Sequence, residues 1–282
     1  MYRRFIHTLA VLALAAGASS CLKTERFEGE DDRVPVGFGT YGKRVVGTKA
    51  GSSFIAPGED FPEGAQIMVY GFYHDNSTWS TDADNAPDFM YGQDVTRQSD
   101  GTWTYGPVKY WPNETTDLLS FWAYYPAGAV LNLNGYGNET PGLPTVTFTQ
   151  PADPESQVDL LFSELSRDLS KPSVGSTVNL VFRHALALVE FRLSEGTGAR
   201  VTGMGLTNIY WEGTVTDPST APFVWTGQTG KGGYSIETET EISGTTLLRM
   251  LAIPQDIDPD ATFSLTADIT FASSDPTYDD PI

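Results

Sequence analysis

The chain has 282 residues, 40% of them hydrophobic, with 36 acidic against 17 basic side chains and a net charge of −19. It is apolar enough to bury the cores of one large or two ordinary domains, which excludes a disordered polymer, and so acidic a surface repels nucleic acid. With 28 Gly, 18 Pro and 12% aromatic residues it is too rich in turn formers for a helical bundle and leans towards β structure.

The first elements are Arg3 and Arg4, an apolar run over residues 5–16, and small residues up to Cys21. That order is a secretory leader, and the run is too short to span a bilayer. Cys21, the single cysteine, follows Gly17-Ala18-Ser19-Ser20, as in a relaxed bacterial lipobox whose thiol is acylated after cleavage. The other reading is an ordinary leader-peptidase site with an incidental cysteine. A lone thiol in an exported chain has no disulfide partner, and this one stands where acylation needs it. Residues 1–20 are therefore read as a lipoprotein signal peptide, with lipid on Cys21 as the membrane anchor. Residues 21–33 follow as an acidic, flexible tether.

Residues 34–42, VPVGFGTYG, alternate Val34, Val36 and Phe38 but include Pro35 and Gly37, so they predict an edge strand. The glycine-rich connection after it carries Arg44 and Lys49 and should be exposed. Residues 66–73 form a mostly apolar run of strand length. Strand signals recur at 102–105, 108–111, 118–125 and 145–149 between Gly, Pro and Asn clusters, the pattern of an antiparallel sandwich. Residues 156–169 suggest a brief helix, although 158–162 also fit a strand. The break KPSVG at 171–175 sets the expected division: a first β-sandwich over 34–171 and a second over 172–282. In the latter, strands are expected at 204–211, 214–216, 223–225, 234–240, 246–253 and 262–271.

The second unit begins with NLVFRHALALVEFRLS, residues 179–194, whose apolar positions are even up to Phe182 and odd from Val189. Side chains on a strand alternate with a period of two, so this reversal near His184 predicts a bulge or a short crossover between sheets. His184 then sits at a hinge, with its ring held by backbone hydrogen bonds.

Chemistry-bearing clusters are sparse. Beyond the leader only His74 and His184 remain, too few for most zinc or nucleophilic sites. Asp82, Asp84, Asn85 and Asp88 lack the glycine and distal glutamate of a calcium loop, and Asp256, Asp258 and Asp260 have Ala261 where the glycine belongs. No metal and no cofactor are expected. Trp79, Trp103, Trp111, Trp122, Trp211 and Trp225 could stack on sugars, against the commoner role of packing in a sandwich. Arg33, Arg44 and Lys49 flank the first strand and suit a trypsin-like protease, or are ordinary surface charge.

Several segments together resemble the fimbrillin family, the type V pilin subunits and related surface lipoproteins of Bacteroidota. They are IMVYGF from Ile67, KYWP from Lys109, LSFWAYYP from Leu119, DLLFS from Asp159, FRHALA from Phe182 and LLRMLAIPQ from Leu247. The resemblance implies an all-β chain of two tandem transthyretin-like antiparallel sandwich domains, exported to the outer membrane as a lipoprotein. In polymerising members an arginine-specific protease removes the first strand, and a strand donated by another fimbrial subunit fills the groove. Carried over, residues 34–42 are the displaced strand, with Val34, Val36 and Phe38 as the groove-filling side chains. Arg44, just past that strand, is the expected cleavage site; a cut at Arg33 would release the lipid and leave the groove closed. The chain departs from the family at its end, where further strands rich in Trp, Gly and Tyr usually follow 262–271. Either it is truncated or its second domain is short, which leaves the donor function open. The implied role is a non-enzymatic pilus subunit or accessory protein for adhesion. The alternative is a lipid-anchored glycan-binding protein that does not polymerise, to be recognised by an aromatic row on one exposed face.

Overall fold

The structure is a computed structural model that describes residues 33–42, 55, 60–82, 84–153, 156–172, 177–192, 199–237 and 246–269. Among these residues the chain is all-β, with no α-helix. Its most apolar strands, β2 (Gln66–His74) and β5 (Leu118–Tyr125), pair antiparallel from Met68↔Tyr124 to His74↔Leu118. They read as nearly continuous apolar runs because both of their faces are covered. Ile67, Val69, Leu119, Phe121 and Ala123 enter one core, whereas Tyr70, Phe72, Trp122 and Tyr124 enter another.

The sheet around them adds β3 (Met90–Arg97) and β4 (Trp103–Thr104) on the β2 side, and β8 (Leu161–Ser163), β10 (Thr177–His184) and β1 (Gly37–Gly42) on the other, with β9 (Ser166–Leu169) pairing β5. All these strands are antiparallel to their neighbours except β1, which runs parallel to β10. One face of the sheet lines a single cluster from end to end: Phe38, Leu180, Leu161, Phe121, Val69, Val95 and Trp103 all belong to it. The sheet therefore curls around this inner core and brings β1 back beside the β4 end.

A second sheet contains β6 (Leu131–Asn132), β7 (Val146–Thr149), β12 (Ala199–Val215), β13 (Trp225–Glu237) and β15 (Thr262–Ile269), and a two-stranded sheet pairs β11 (Ala187–Arg192) with β14 (Thr246–Ala252). Trp122, Phe162, Phe148, Val215, Trp225, Leu251 and Ile253 form the second core, between the large sheet and these later strands. Met204, Ile209, Tyr234, Met250 and Ala252 form a third, smaller one.

Four findings differ from the expectations. Residues 156–169 carry strands β8 and β9, not a helix; Leu160, Leu161 and Phe162 are all buried, and a fully buried segment shows no helical face. Strand β10 lies beyond the break at 171–175 yet pairs with β1 and β8, while β7 lies before the break and pairs with β12, so strand pairing crosses the division expected there. The segments expected at 204–211 and 214–216 are one strand, β12, and register shifts at Thr207/Ile209 and Glu212/Thr214 absorb the irregularity. Strand β13 runs straight through the glycine-rich GQTGKGG, which separates the strands expected at 223–225 and 234–240. The Trp211 ring lies over Gly230 and Gly232, and a Cβ on Gly232 would collide with it.

The parity reversal at His184 is a crossover: β10 ends there in the large sheet, and from Ala187 the chain continues as β11 in the two-stranded sheet.

Candidate functional site

The seat of the first strand begins at Arg33, whose guanidinium lies 5.1 Å from the centre of the Tyr110 ring. Residues 34–36 then pair with 109–111. The Trp111 N–H donates to the Val34 carbonyl at 2.9 Å, the Val36 N–H donates to the Lys109 carbonyl at 2.9 Å, and Pro35 bridges Tyr110 in antiparallel sense. Proline fits there because its missing N–H is not needed at that point of the ladder. From Gly37 the chain leaves this partner and follows β10 in parallel register, Gly37↔Thr177 through Gly42↔Phe182. One short segment thus joins two separate stretches of backbone.

Its inward side chains close the inner core. Val36 is 2% exposed and Phe38 3%, with Val34 half-buried against the same cluster. The Phe38 ring meets Phe121 edge-on and Tyr105 at a tilt, both with centroids 5.5 Å apart. The Tyr105 hydroxyl donates to the Val36 carbonyl at 2.8 Å. Burial raises the pKa of that phenol above its usual value, so it remains a donor at neutral pH. Trp111, 2% exposed, packs edge-on against Phe121 with centroids 6.3 Å apart, and its indole N–H has no hydrogen-bond partner among the described residues. Burying a Val or Phe side chain contributes about 1.5–3 kcal/mol. For Val36 and Phe38 together that is a large part of the ~5–15 kcal/mol by which a typical domain is stable.

The residues after the strand are fastened independently. The Ile55 N–H donates to Asp159 Oδ2 at 3.0 Å, and Phe61, 4% exposed, meets Trp103, Tyr125 and Phe182 edge-on in the inner core. Of the residues singled out by the sequence, Cys21, Arg44 and Lys49 lie outside the described residues.

His74 and His184 both have carboxylate partners. His184 Nδ1 is 2.8 Å from Oδ1 of Asp159, whose side chain is fully buried. The expectation named backbone groups, and the partner of Nδ1 is instead a side-chain carboxylate. His74, fully buried, lies between Asp82 Oδ2, 3.0 Å from Nδ1, and Ser120 Oγ, 2.9 Å from Nε2. Sequence reasoning did not find this Ser–His–Asp set, because its members lie on β5, β2 and the following loop and meet only through strand pairing. The signal that could have found it is a histidine on the inward-facing rhythm of β2, which needs a polar partner. Ser120 is also fully buried and accepts the Asp168 N–H at 3.0 Å, so the set holds the loop after β2 against the sheet. Asp117 accepts from the Tyr73 hydroxyl, and Asp168 accepts the Trp79 N–H at 2.7 Å in the same region.

The acidic clusters are engaged with protein donors. Asp82 takes His74 and the Asp84 N–H, Asp88 the Tyr73 N–H, and Asp258 and Asp260 share Lys231. Among the described residues no group of three or more His, Cys, Asp or Glu is placed to hold a metal. Of the six tryptophans, Trp103, Trp111, Trp122 and Trp225 are buried, and Trp79 and Trp211 are half-buried against the cores.

Two solved structures share this fold. A candidate cell adhesion protein from Bacteroides uniformis superposes with a TM-score of 0.52 over 85% of this chain and 81% of its own, at 17% identity. Another from Bacteroides ovatus gives 0.53 over 83% and 86%, at 18% identity. No curated protein matches the sequence. The model of the fimbrillin-like family matches residues 48–280, most of the chain, and the chain therefore belongs to the fimbrillin-like family.

Proposed function

We propose that the protein is a non-enzymatic subunit or accessory of an adhesive fimbrium, exported as an outer-membrane lipoprotein through Cys21 and assembled by exchange of its first strand. Membership of the fimbrillin-like family and the likeness to adhesion proteins support the broad role. The observation that carries the exchange is that residues 34–42 are the terminal strand of the large sheet and yet supply Val36 and Phe38 to its inner core. Taking that strand away opens an apolar slot and leaves unpaired backbone on both sides, and another subunit's strand restores both at once.

Arg44 is the proposed cut for an arginine-specific protease, with Lys49 as a secondary site. Arg33 is the weaker substrate, because its side chain stacks on Tyr110 and the residues after it are paired with 109–111. A protease must draw several residues of extended backbone into its cleft, and those residues are already occupied. Ile55 and Phe61 keep the chain attached beyond the cut. The glycan-binding alternative needs an exposed aromatic row, and the buried tryptophans weigh against it.

Limited trypsin digestion of the purified full chain, followed on gels and by electron microscopy, tests the reading. Wild type is expected to lose residues up to Arg44 and to form ladders of oligomers, and Arg44→Ala to be trimmed and to polymerise much less. Wild type that is trimmed past Gly42 and stays monomeric overturns strand exchange. A Cys21→Ala chain that still fractionates with membranes overturns the lipid anchor.

A further inference from the structure

We infer that the slot occupied by the first strand selects its partner by one aromatic side chain, so the incoming strand must carry an aliphatic-X-aromatic triplet whose X faces solvent and is not read. The inference rests on the strand-exchange proposal above and names the chemistry of the partner. It follows from how unevenly the strand is held. Inward, Val36 and Phe38 are almost completely enclosed, and the Phe38 ring is bounded by two aromatic rings at 5.5 Å. A pocket with such walls rewards a flat ring in edge-on packing and leaves a void around anything smaller.

The pocket is also of fixed size. Phe61 comes from beyond the proposed cut and fills the neighbouring part of the inner core, against Trp103, Tyr125 and Phe182. It stays when the first strand leaves, so the vacated space is that of Val34, Val36 and Phe38, with room for one ring. The Tyr105 hydroxyl marks the backbone position two residues before that ring, since its acceptor is the Val36 carbonyl.

Outward, the strand meets little. A Cβ on Gly37 would sit 3.5 Å from Thr177, an ordinary contact, and one on Gly39 would sit 3.3 Å from the Asn179 side chain, which is exposed and can shift. Recognition should therefore alternate along the incoming strand, strict at the inward positions and lax at the outward ones.

The test uses the full chain under limited trypsin, with a fluorescent peptide of the sequence VPVGFGTYG, its own residues 34–42, present during trimming. Retention of the peptide is read by anisotropy. Capture is expected, with the Phe38→Ala peptide bound at least about 150-fold more weakly, the low end of the cost of truncating a buried Phe. The Phe38→Tyr or Phe38→Trp peptide should retain more binding than Phe38→Ala, and Gly37→Ala or Gly39→Ala should stay within about threefold of the parent, as ordinary surface changes do. Equal capture of the parent and Phe38→Ala peptides overturns aromatic selection while leaving strand exchange standing. Failure to capture any peptide by a chain that has lost residues 34–42 overturns the exchange proposal, and aromatic selection with it.

Discussion

Strands β1 and β15 both sit beside a single named neighbour, and the two are held in opposite ways. Strand β15 matches β12 over a longer register than β1 matches β10, from Thr207↔Thr262 to Ala199↔Ile269. Yet its Phe263 and Leu265 are 47% and 46% exposed, whereas Val36 and Phe38 at the first strand are nearly sealed. Backbone pairing alone therefore does not make a strand part of a core. What distinguishes them is curvature: the large sheet curls around the inner core and wraps both sides of the first strand, while residues 262–266 of β15 are exposed on both faces.

If that contrast is right, the largest effect comes from Phe38→Ala in the intact chain. Truncation of a buried Phe typically costs about 3–5 kcal/mol, and here it also opens the space between Tyr105 and Phe121. A denaturant titration monitored by tryptophan fluorescence should show the midpoint fall steeply with little change in slope. The same truncation on β15, Phe263→Ala, should cost about 1 kcal/mol: little burial is lost, but the ring stacks on Phe191 with centroids 4.6 Å apart. Comparable losses at the two sites would erase the distinction between the strands.

The Tyr105→Phe change probes the first strand more finely. It keeps the ring against Phe38 and removes the hydroxyl that donates to the Val36 carbonyl and accepts the Lys109 N–H at 3.3 Å, so about 1 kcal/mol should be lost. In the folded chain the amide protons of Val36 and its neighbours should exchange faster while those of β2 and β5 are unchanged. Global acceleration of exchange would mean that Tyr105 supports the whole core and not this strand.

Much of this contrast could be read from sequence. The alternation of Val34, Val36 and Phe38, with Pro35 among them, marked an edge strand that buries one face, and the reversed parity around His184 marked the passage from one sheet to another. The rest depended on partners far along the chain. Nothing near residues 177–184 says that they will lie between β1 and β8, because the pairing is chosen by burial of Val178, Leu180 and Phe182 against residues from the first third of the molecule. The glycine-rich middle of β13 does not look like a strand until Trp211, on the neighbouring strand, is seen to need a surface without side chains at Gly230 and Gly232. The Ser120–His74–Asp82 set was hidden for the same reason, since β5 and β2 must pair before serine and histidine meet.

The smallest expected effect lies at Trp111, under the first strand. Its ring is buried against Phe121, but its N–H has no acceptor among the described residues, and an unsatisfied buried donor costs about 1–3 kcal/mol. Trp111→Phe gives up some of the indole's packing and removes that unpaired donor. The two terms have opposite signs and similar size, so the variant should unfold within about 1 kcal/mol of wild type, although truncation of so large a buried side chain ordinarily costs several. A loss of several kcal/mol would mean that packing outweighs the orphaned donor, or that the N–H finds a partner in solution. Near-neutrality would show that the seat of the first strand carries a polar defect. An edge strand over such a defect is easier to displace than one over a fully satisfied core, a penalty that residues 262–266 of β15, exposed on both faces, never incur.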